Sequence, residues 1–468
     1  MTENSVVISI SINGAKREII IERELELEEL ERCIGKVLQK IGNCLLQAGI
    51  EELDLRIRQT IPGNWENVGT ESRRVLSSLG RVSYQRRIYL DEQGRRRKPV
   101  DEILGVQPYG RDSQYMREMG AYLACTGTYR RAASQLSWLV QSQVSHSTIQ
   151  RMVWQVGNRI ADGEKAEREQ VFGFGKQIES GRVKAPVLYG ESDGVWLHLQ
   201  REGRKSVEVR VATLYSGKKM VGKDRFGLEN KCVHTSIGEN TQAWQESLLK
   251  KAHQYYDLET TQILITGGDG NAWVRHSFER FEVKQEFVLD RFHLYRAASR
   301  AIPDRHYARE LVGELRQSGF SAVNSRLKQM IDLATGKRKE KLIEFYKYIC
   351  HHQDGLLNLE QRGLHGNYAC LGTIEGNVDK LVVHRMKGRG CCWKLSGARA
   401  MLAICQYKNE IGQHVFEYKP IDFPHKTLPE NGKHPVVGTL PHASIPALSG
   451  PHQNRPWAIA LKRYIYHQ

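Results

Sequence analysis

No apolar stretch in this chain approaches the roughly 18 residues that a membrane span requires, so no transmembrane helix is expected. The opening MTENSVVISISING lacks the basic-then-apolar pattern of a secretory leader, which predicts a protein that stays in the cytoplasm. Nine cysteines are scattered, odd in number and without a C-x-x-C pair, which argues against a disulfide framework and against a zinc ribbon. Acid is also in short supply. Asp and Glu total 53 against 69 Lys and Arg, a net charge of +16, and that imbalance is the footprint of a polyanion binder. Charge alone does not choose the polyanion, and a basic but ordinary soluble enzyme would carry it too.

At 468 residues, with 40% hydrophobic and 26% charged residues, the chain is expected to fold into two to four units. Residues 1–62 read as a strand at Val6 to Ile12 followed by an amphipathic helix through Leu27, Leu30, Ile34, Val37, Ile41 and Leu45. That helix is expected to pack within the chain, with a coiled-coil dimer as the alternative. Residues 63–112 read as a basic β-ribbon, broken at Leu79-Gly80 and at Asp91 to Gly94. Arg86, Arg87, Arg95 and Arg96 crowd it with Tyr84 and Tyr89 interleaved, which suggests phosphate contacts, a solvated ribbon being the plainer reading. Residues 113–162 have the rhythm of a helix-turn-helix. Its second helix, capped by Ser145, offers Ser147, Gln150 and Arg151 to DNA, unless the pair is a plain helical hairpin. A polar linker is expected over Glu164 to Lys184. An α/β core of RNase H-like order follows over 181–302, with three antiparallel strands and then alternating helices and strands. A helical insertion over 303–366 precedes the second core part, 367–408, and a Pro/His-rich tail, 409–468, in which solvated coil is favoured over metal binding.

Phosphodiester cleavage by paired hard cations needs carboxylates from distant segments to converge. Asp193 in LYGESDGVWLHL, Asp269 in ILITGGDGNAW and Glu375 in CLGTIEGNVDKLVVHRMK are placed to do so: one on the first strand, one where a buried strand ends in glycines, one on a late helix. Each has a plainer reading alone, as a hairpin turn, a helix cap and a first-turn acid respectively. Together they suit a two-metal site.

ESDGVW, GGDGNAW, the DRFH at Asp290 to His293 and GTIEGNVDKLVVHRMKGRGCCW resemble bacterial insertion-sequence transposases with a DDE active site, on the Mutator-like side of that superfamily. The resemblance covers roughly residues 70 to 405. It implies an RNase H-like catalytic core in which Asp193, Asp269 and Glu375 are catalytic and hold two Mg²⁺ ions, replaceable by Mn²⁺. It also implies Asp290 and His293 as a supporting pair near the site. The implied activity is hydrolysis at each element end and transfer of the freed 3′-hydroxyl into target DNA. Implied partners are double-stranded DNA, as terminal inverted repeats and target, and further copies of the chain assembling on DNA; the implied location is cytoplasmic and nucleoid-associated. Val382 stands where such families often have a basic residue seven positions after the Glu, with Lys380 and Arg385 nearby. Trp393 between Arg389 and Lys394 was weighed as a base-stacking platform against ordinary packing. Two rival readings remain at this point: another RNase H-like DNA nuclease, and a helix-turn-helix DNA-binding protein with a dead core.

Overall fold

The computed structural model describes residues 5–12, 15–22, 27–223, 225–364, 368–388 and 390–411. The tail beyond 411 and Arg389 lie outside the described residues. None of the described helices is long and apolar enough to cross a membrane.

Helix α1 (Leu27–Arg58) begins where the apolar periodicity begins and runs past Leu45 to a basic last turn. Ribbon strands Glu66–Ser77 and Gly80–Leu90 follow. They are joined at Leu79-Gly80, where Gly80 takes a φ of +96° that an L side chain resists. Three helices come next: α2 (Gln114–Ala124), α3 (Tyr129–Leu139) and α4 (His146–Phe174). Ser113, Thr128 and Ser145 cap them by accepting the backbone N–H groups of Met116, Arg131 and Thr148, which satisfies orphan donors at each start.

The expected linker at Glu164 to Lys184 is corrected here, because α4 continues to Phe174 before Gly175 ends it in the left-handed conformation. The polarity that suggested a linker has a different cause. Glu167 pairs with Lys250, Arg168 with Glu239, and Glu164 accepts from Gln406, so the charged residues stitch α4 to its neighbours.

The central sheet has five strands: β1 (Val187–His198), β2 (Ser206–Tyr215), β3 (Cys232–Ile237), β4 (Ile263–Gly268) and β5 (Lys284–Leu289). Their order is β3-β2-β1-β4-β5. The first three are antiparallel, and β4 runs parallel to both β1 and β5, making a mixed α/β fold. A short hairpin, Gly217–Gly222 with Arg225–Glu229, interrupts the path from β2 to β3. Helix α5 (Thr241–Tyr255), capped by Asn240, connects β3 to β4. After β4 the helical part of the alternation is short, Ala272–Arg275 followed by a 3-10 turn. Helix α6 (Arg291–Ala301) leaves β5. Helices α7 (Arg305–Ser318), α8 (Phe320–Leu333) and α9 (Gly336–His351) then build the insertion, sharing with β5 and α6 one core that runs through Leu289, Leu294, Leu311, Leu327 and Phe345. Helix α10 (Ile374–Val378) widens into a π-turn over Asp379–Lys387, and α11 (Leu395–Ile411) closes the described chain.

Two compact units result. The smaller holds residues 51–71 and 86–105; the larger holds most other described residues, including the sheet. Within the larger unit α2, α3 and α4 share one hydrophobic core with the sheet and α11, through Met116, Leu136, Ile149, Val209 and Met401.

The closest helix contact in that core is at Gly157 of α4. A Cβ there would lie 2.1 Å from the carbonyl oxygen of Ala400 on α11, so backbone meets backbone and no side chain can yield. Gly157→Ala should therefore separate α4 from α11 and lower unfolding stability by about 3 kcal/mol, the upper range for overpacking. Urea unfolding of the two proteins checks it. An unchanged midpoint would mean that this helix pair is not tightly packed.

Candidate metal centre

Strand register explains why acids distant in sequence meet. Gly267 of β4 pairs with Glu191 of β1, and Gly268 pairs with Leu289 of β5. Continued past the end of β4, the same register brings Asp269 level with Asp193 on one side and Asp290 on the other. Asp193 within β1 is thus level with Asp269 and Asp290, which stand just beyond the ends of β4 and β5, where ligands commonly bind in parallel sheets. Asp193 lies within β1 rather than at a hairpin turn, and its Oδ1 accepts the N–H of Gly194 at 2.7 Å.

The glycines around Asp269 are there for lack of room. A Cβ on Gly268 would lie 2.2 Å from Val274, and one on Gly270, whose φ is +91°, would lie 2.6 Å from the His352 ring. Asp269 also accepts the N–H of Asn271 at 2.9 Å, in a turn before the short helix Ala272–Arg275; the cap position falls on Asn271, so Asp269 is not the helix cap that its sequence position suggests. Tyr348 of α9 donates to the Asp269 carbonyl at 3.0 Å, which ties the insertion to this loop.

Glu375 enters from the first turn of α10. Its Oε1 is buried without a hydrogen-bond partner and lies 3.9 Å from His293 Nδ1. Asp290 caps α6 by accepting the His293 N–H, and its Oδ2 also stands 2.9 Å from His293 Nδ1. Ligand atoms of Asp290, His293 and Glu375 all lie within 4.8 Å of one another. The supporting pair is therefore closer to Glu375 than the sequence motifs alone require. Among the described residues Asp193 and Asp269 stand outside that tightest group, although both act on it electrostatically.

Glu191, in the same ESD segment as Asp193, is the residue that sequence reasoning missed. It is 2% exposed. Its Oε2 accepts the N–H groups of Gly372 and Thr373 at 2.7 and 2.9 Å, while its Oε1 accepts the hydroxyls of Tyr215 and Thr373. It thereby holds the segment that launches α10 and sets the position of Glu375. The signal was present in ESD: residues two apart on a strand share a face, so Glu191 had to point the same way as Asp193.

Burial pushes the Asp193 carboxyl up to about 6, and Asp269 and Glu375 push the same way, against the opposing pull of the Gly194 N–H and His293. His293 is raised above the ordinary imidazole value by its hydrogen bond to Asp290, and Asp193 and Asp269 add to that. A crowded set of carboxylates, one oxygen of which is buried without a donor, fits a hard divalent cation of the Mg²⁺ or Mn²⁺ type.

The ribbon arginines are corrected. Arg86 is 1% exposed and salt-bridged to Asp101 and Glu71, and Arg87 pairs with Asp54. Arg95 pairs with Asp91 through a largely exposed side chain, and Arg96 is exposed. Of these partners only Asp54 comes from outside the ribbon; Glu71, Asp91 and Asp101 are its own acids. Trp393 is likewise no stacking platform: it is buried, its indole N–H donates to the Met386 carbonyl, and Arg385 lies over its ring. Arg385 itself is buried and donates to the Ala124 carbonyl, so it is no free cation for DNA.

Ser147, Gln150 and Arg151 are exposed, as expected, and Trp154 extends their face of α4. With Arg201 and Lys394 they line a cavity of about 610 Å³. Arg151 is also ion-paired with Asp112.

These features define a mixed α/β protein with an acidic centre at one end of its parallel strands. The chain belongs to the uncharacterised protein family UPF0236, whose model matches residues 20–418. A UPF0236 protein in the vanSb 3′ region of Streptococcus gallolyticus is 26% identical over 446 residues, 91% of this chain and 94% of the relative. A UPF0236 protein of Caldanaerobacter subterraneus subsp. tengcongensis is 23% identical over 391 residues, 82% of this chain and 79% of the relative. Another from that organism, whose name joins eleven loci, is 22% identical over 393 residues, 83% of this chain and 79% of the relative.

A cation at this centre must compete with the proton on Asp193. Mn²⁺ affinity should therefore rise with pH through about 6 and then level off, with a slope of up to about tenfold per pH unit below that point. Calorimetric titration across this range checks it. An affinity without pH dependence below about 6 would remove Asp193 from the ligand set.

Proposed function

We propose that this protein is a DNA transposase of an insertion sequence, which cleaves the ends of its element and joins them to target DNA. The observation that carries the reading is the in-register row Asp193, Asp269 and Asp290, with Glu375 brought to it by a separate helix. Convergence of carboxylates from remote segments is what two-metal phosphodiester chemistry demands. The strand order β3-β2-β1-β4-β5, three antiparallel strands and then parallel ones, supports an RNase H-like core. A relative's name that joins eleven loci of one strain fits a coding sequence present in many copies, as a mobile element would be.

In this reading Asp193, Asp269 and Glu375 hold the cations. Bound there, two Mg²⁺ or Mn²⁺ ions would activate water at the scissile phosphate and steady the leaving oxygen. Asp290 orients His293 beside Glu375, and Glu191 fixes the start of α10. The exposed face of α4, from Ser147 to Trp154, together with Arg201 and Lys394, supplies the nearby DNA contact.

Terminal inverted repeats flanked by short direct duplications around the coding region would separate this reading from another nuclease and from a DNA-binding protein without activity. At the bench, Asp193→Asn, Asp269→Asn and Glu375→Gln should each abolish cleavage and transfer in Mg²⁺ or Mn²⁺ while leaving element-end binding in EDTA near wild type. Asp379→Asn is the exposed control. Two of the three amide variants cleaving at the wild-type rate would overturn the proposal.

Salt dependence tests the DNA surface. Replacing Arg201 and Lys394 together by Ala should reduce the slope of log affinity against log salt by about 2, since each phosphate contact contributes about 0.9. Arg86→Ala should instead lower stability and leave the slope alone. A full slope in the double variant would place the DNA elsewhere.

A further inference from the structure

Helix α1 carries an apolar stripe that the rest of the described chain leaves open. Leu27, Ile34, Leu38 and Leu45 are 72%, 41%, 61% and 56% exposed. At 100° per residue these four fall within a strip about 40° wide, and they span about 27 Å of helix. Another side of α1 is docked within the chain: Gln39 donates to the Val140 carbonyl, and Gly42 sits against Leu79. The stripe is thus left over after α1 has found its place.

Its spacing says what fits it. The steps between the four residues are seven, four and seven, the same read in either direction. A palindromic stripe is complementary to itself about a two-fold axis perpendicular to the helix, as an isologous contact requires. Antiparallel pairing centred between Ile34 and Leu38 sets Leu27 against the partner's Leu45 and Ile34 against the partner's Leu38, each pair occurring twice. Parallel pairing would match the same leucines but would set Glu31, exposed on the stripe, against its own copy. The antiparallel arrangement moves Glu31 opposite the partner's Ile41 and opposes the helix dipoles.

We propose that α1 is the dimerisation helix of this protein, and that its occupant is α1 of a second copy, antiparallel, joined along Leu27, Ile34, Leu38 and Leu45. This goes beyond the catalytic reading and requires neither DNA nor a cation.

Light scattering of the full-length protein after size-exclusion chromatography, without DNA, should give twice the chain mass. Leu38→Glu should give the chain mass alone, with an unchanged far-UV spectrum, because the side chain is exposed before pairing, and a melting temperature that no longer depends on protein concentration. Leu45→Glu is the second variant. A monomeric wild type, or a dimer that survives both substitutions, overturns the proposal. Orientation is read in chains with Cys33 and Cys44 changed to Ser: Ile34→Cys and Leu38→Cys copies, mixed, should cross-link to each other. Cross-linking of Leu38→Cys only to itself overturns the antiparallel pairing.

Discussion

Carboxylates gathered in a small, partly buried volume repel one another, and holding them there is the constraint on which this structure turns. Desolvation disfavours each charge and the neighbours add to it, which is why Asp193 keeps its proton to a pH far above that of a free carboxyl. Rigid placement opposes the repulsion. Asp193 is fixed in the β1–β2 ladder, while Asp269 and Asp290 stand one residue beyond the paired ends of β4 and β5, where the Asp290 N–H donates to the Gly268 carbonyl. Glu375 is fixed indirectly, through a second carboxylate, Glu191, that has four donors of its own. Asp290 is held below the usual carboxylate range despite its burial, by the side chain and backbone of His293.

The same constraint explains the surroundings. Glycines crowd the end of β4 because Val274, Ser192 and His352 press against that turn, and the turn must still present Asp269. The insertion helices share a core with β5 and α6, and they reach the Asp269 loop through Tyr348 and Arg275 through Asp354. Helices α2 to α4 are built into the core of the sheet rather than tethered to it, which gives the exposed side of α4 a fixed position relative to the acids. The stripe on α1 then offers a way to set two such bodies in a defined relation.

Much of this was legible in the sequence, and the rest waited on the fold. The ribbon break at Leu79-Gly80, the capping Ser145 and the apolar run ending in glycines before Asp269 are local signals, and each feature formed close to where it was read. The continuation of α4 through Glu164 depends on partners far along the chain, Lys250 and Gln406, which no local window of sequence contains. Arg86 is different: its partners Glu71 and Asp101 lie within the ribbon on either side of it, and only the fold shows that they enclose it. Glu191 is the intermediate case: its face followed from alternation, but its partners Gly372 and Thr373 came into view only with the fold.

The central claim is that Asp193, Asp269 and Glu375 together hold divalent cations. The most direct measurement is anomalous diffraction from crystals of the full-length protein grown with Mn²⁺. The account predicts anomalous peaks bounded by the carboxylates of Asp193, Asp269 and Glu375, lost in crystals of Asp269→Asn. Peaks confined to Asp290 and His293, or none near the end of β4, would contradict it.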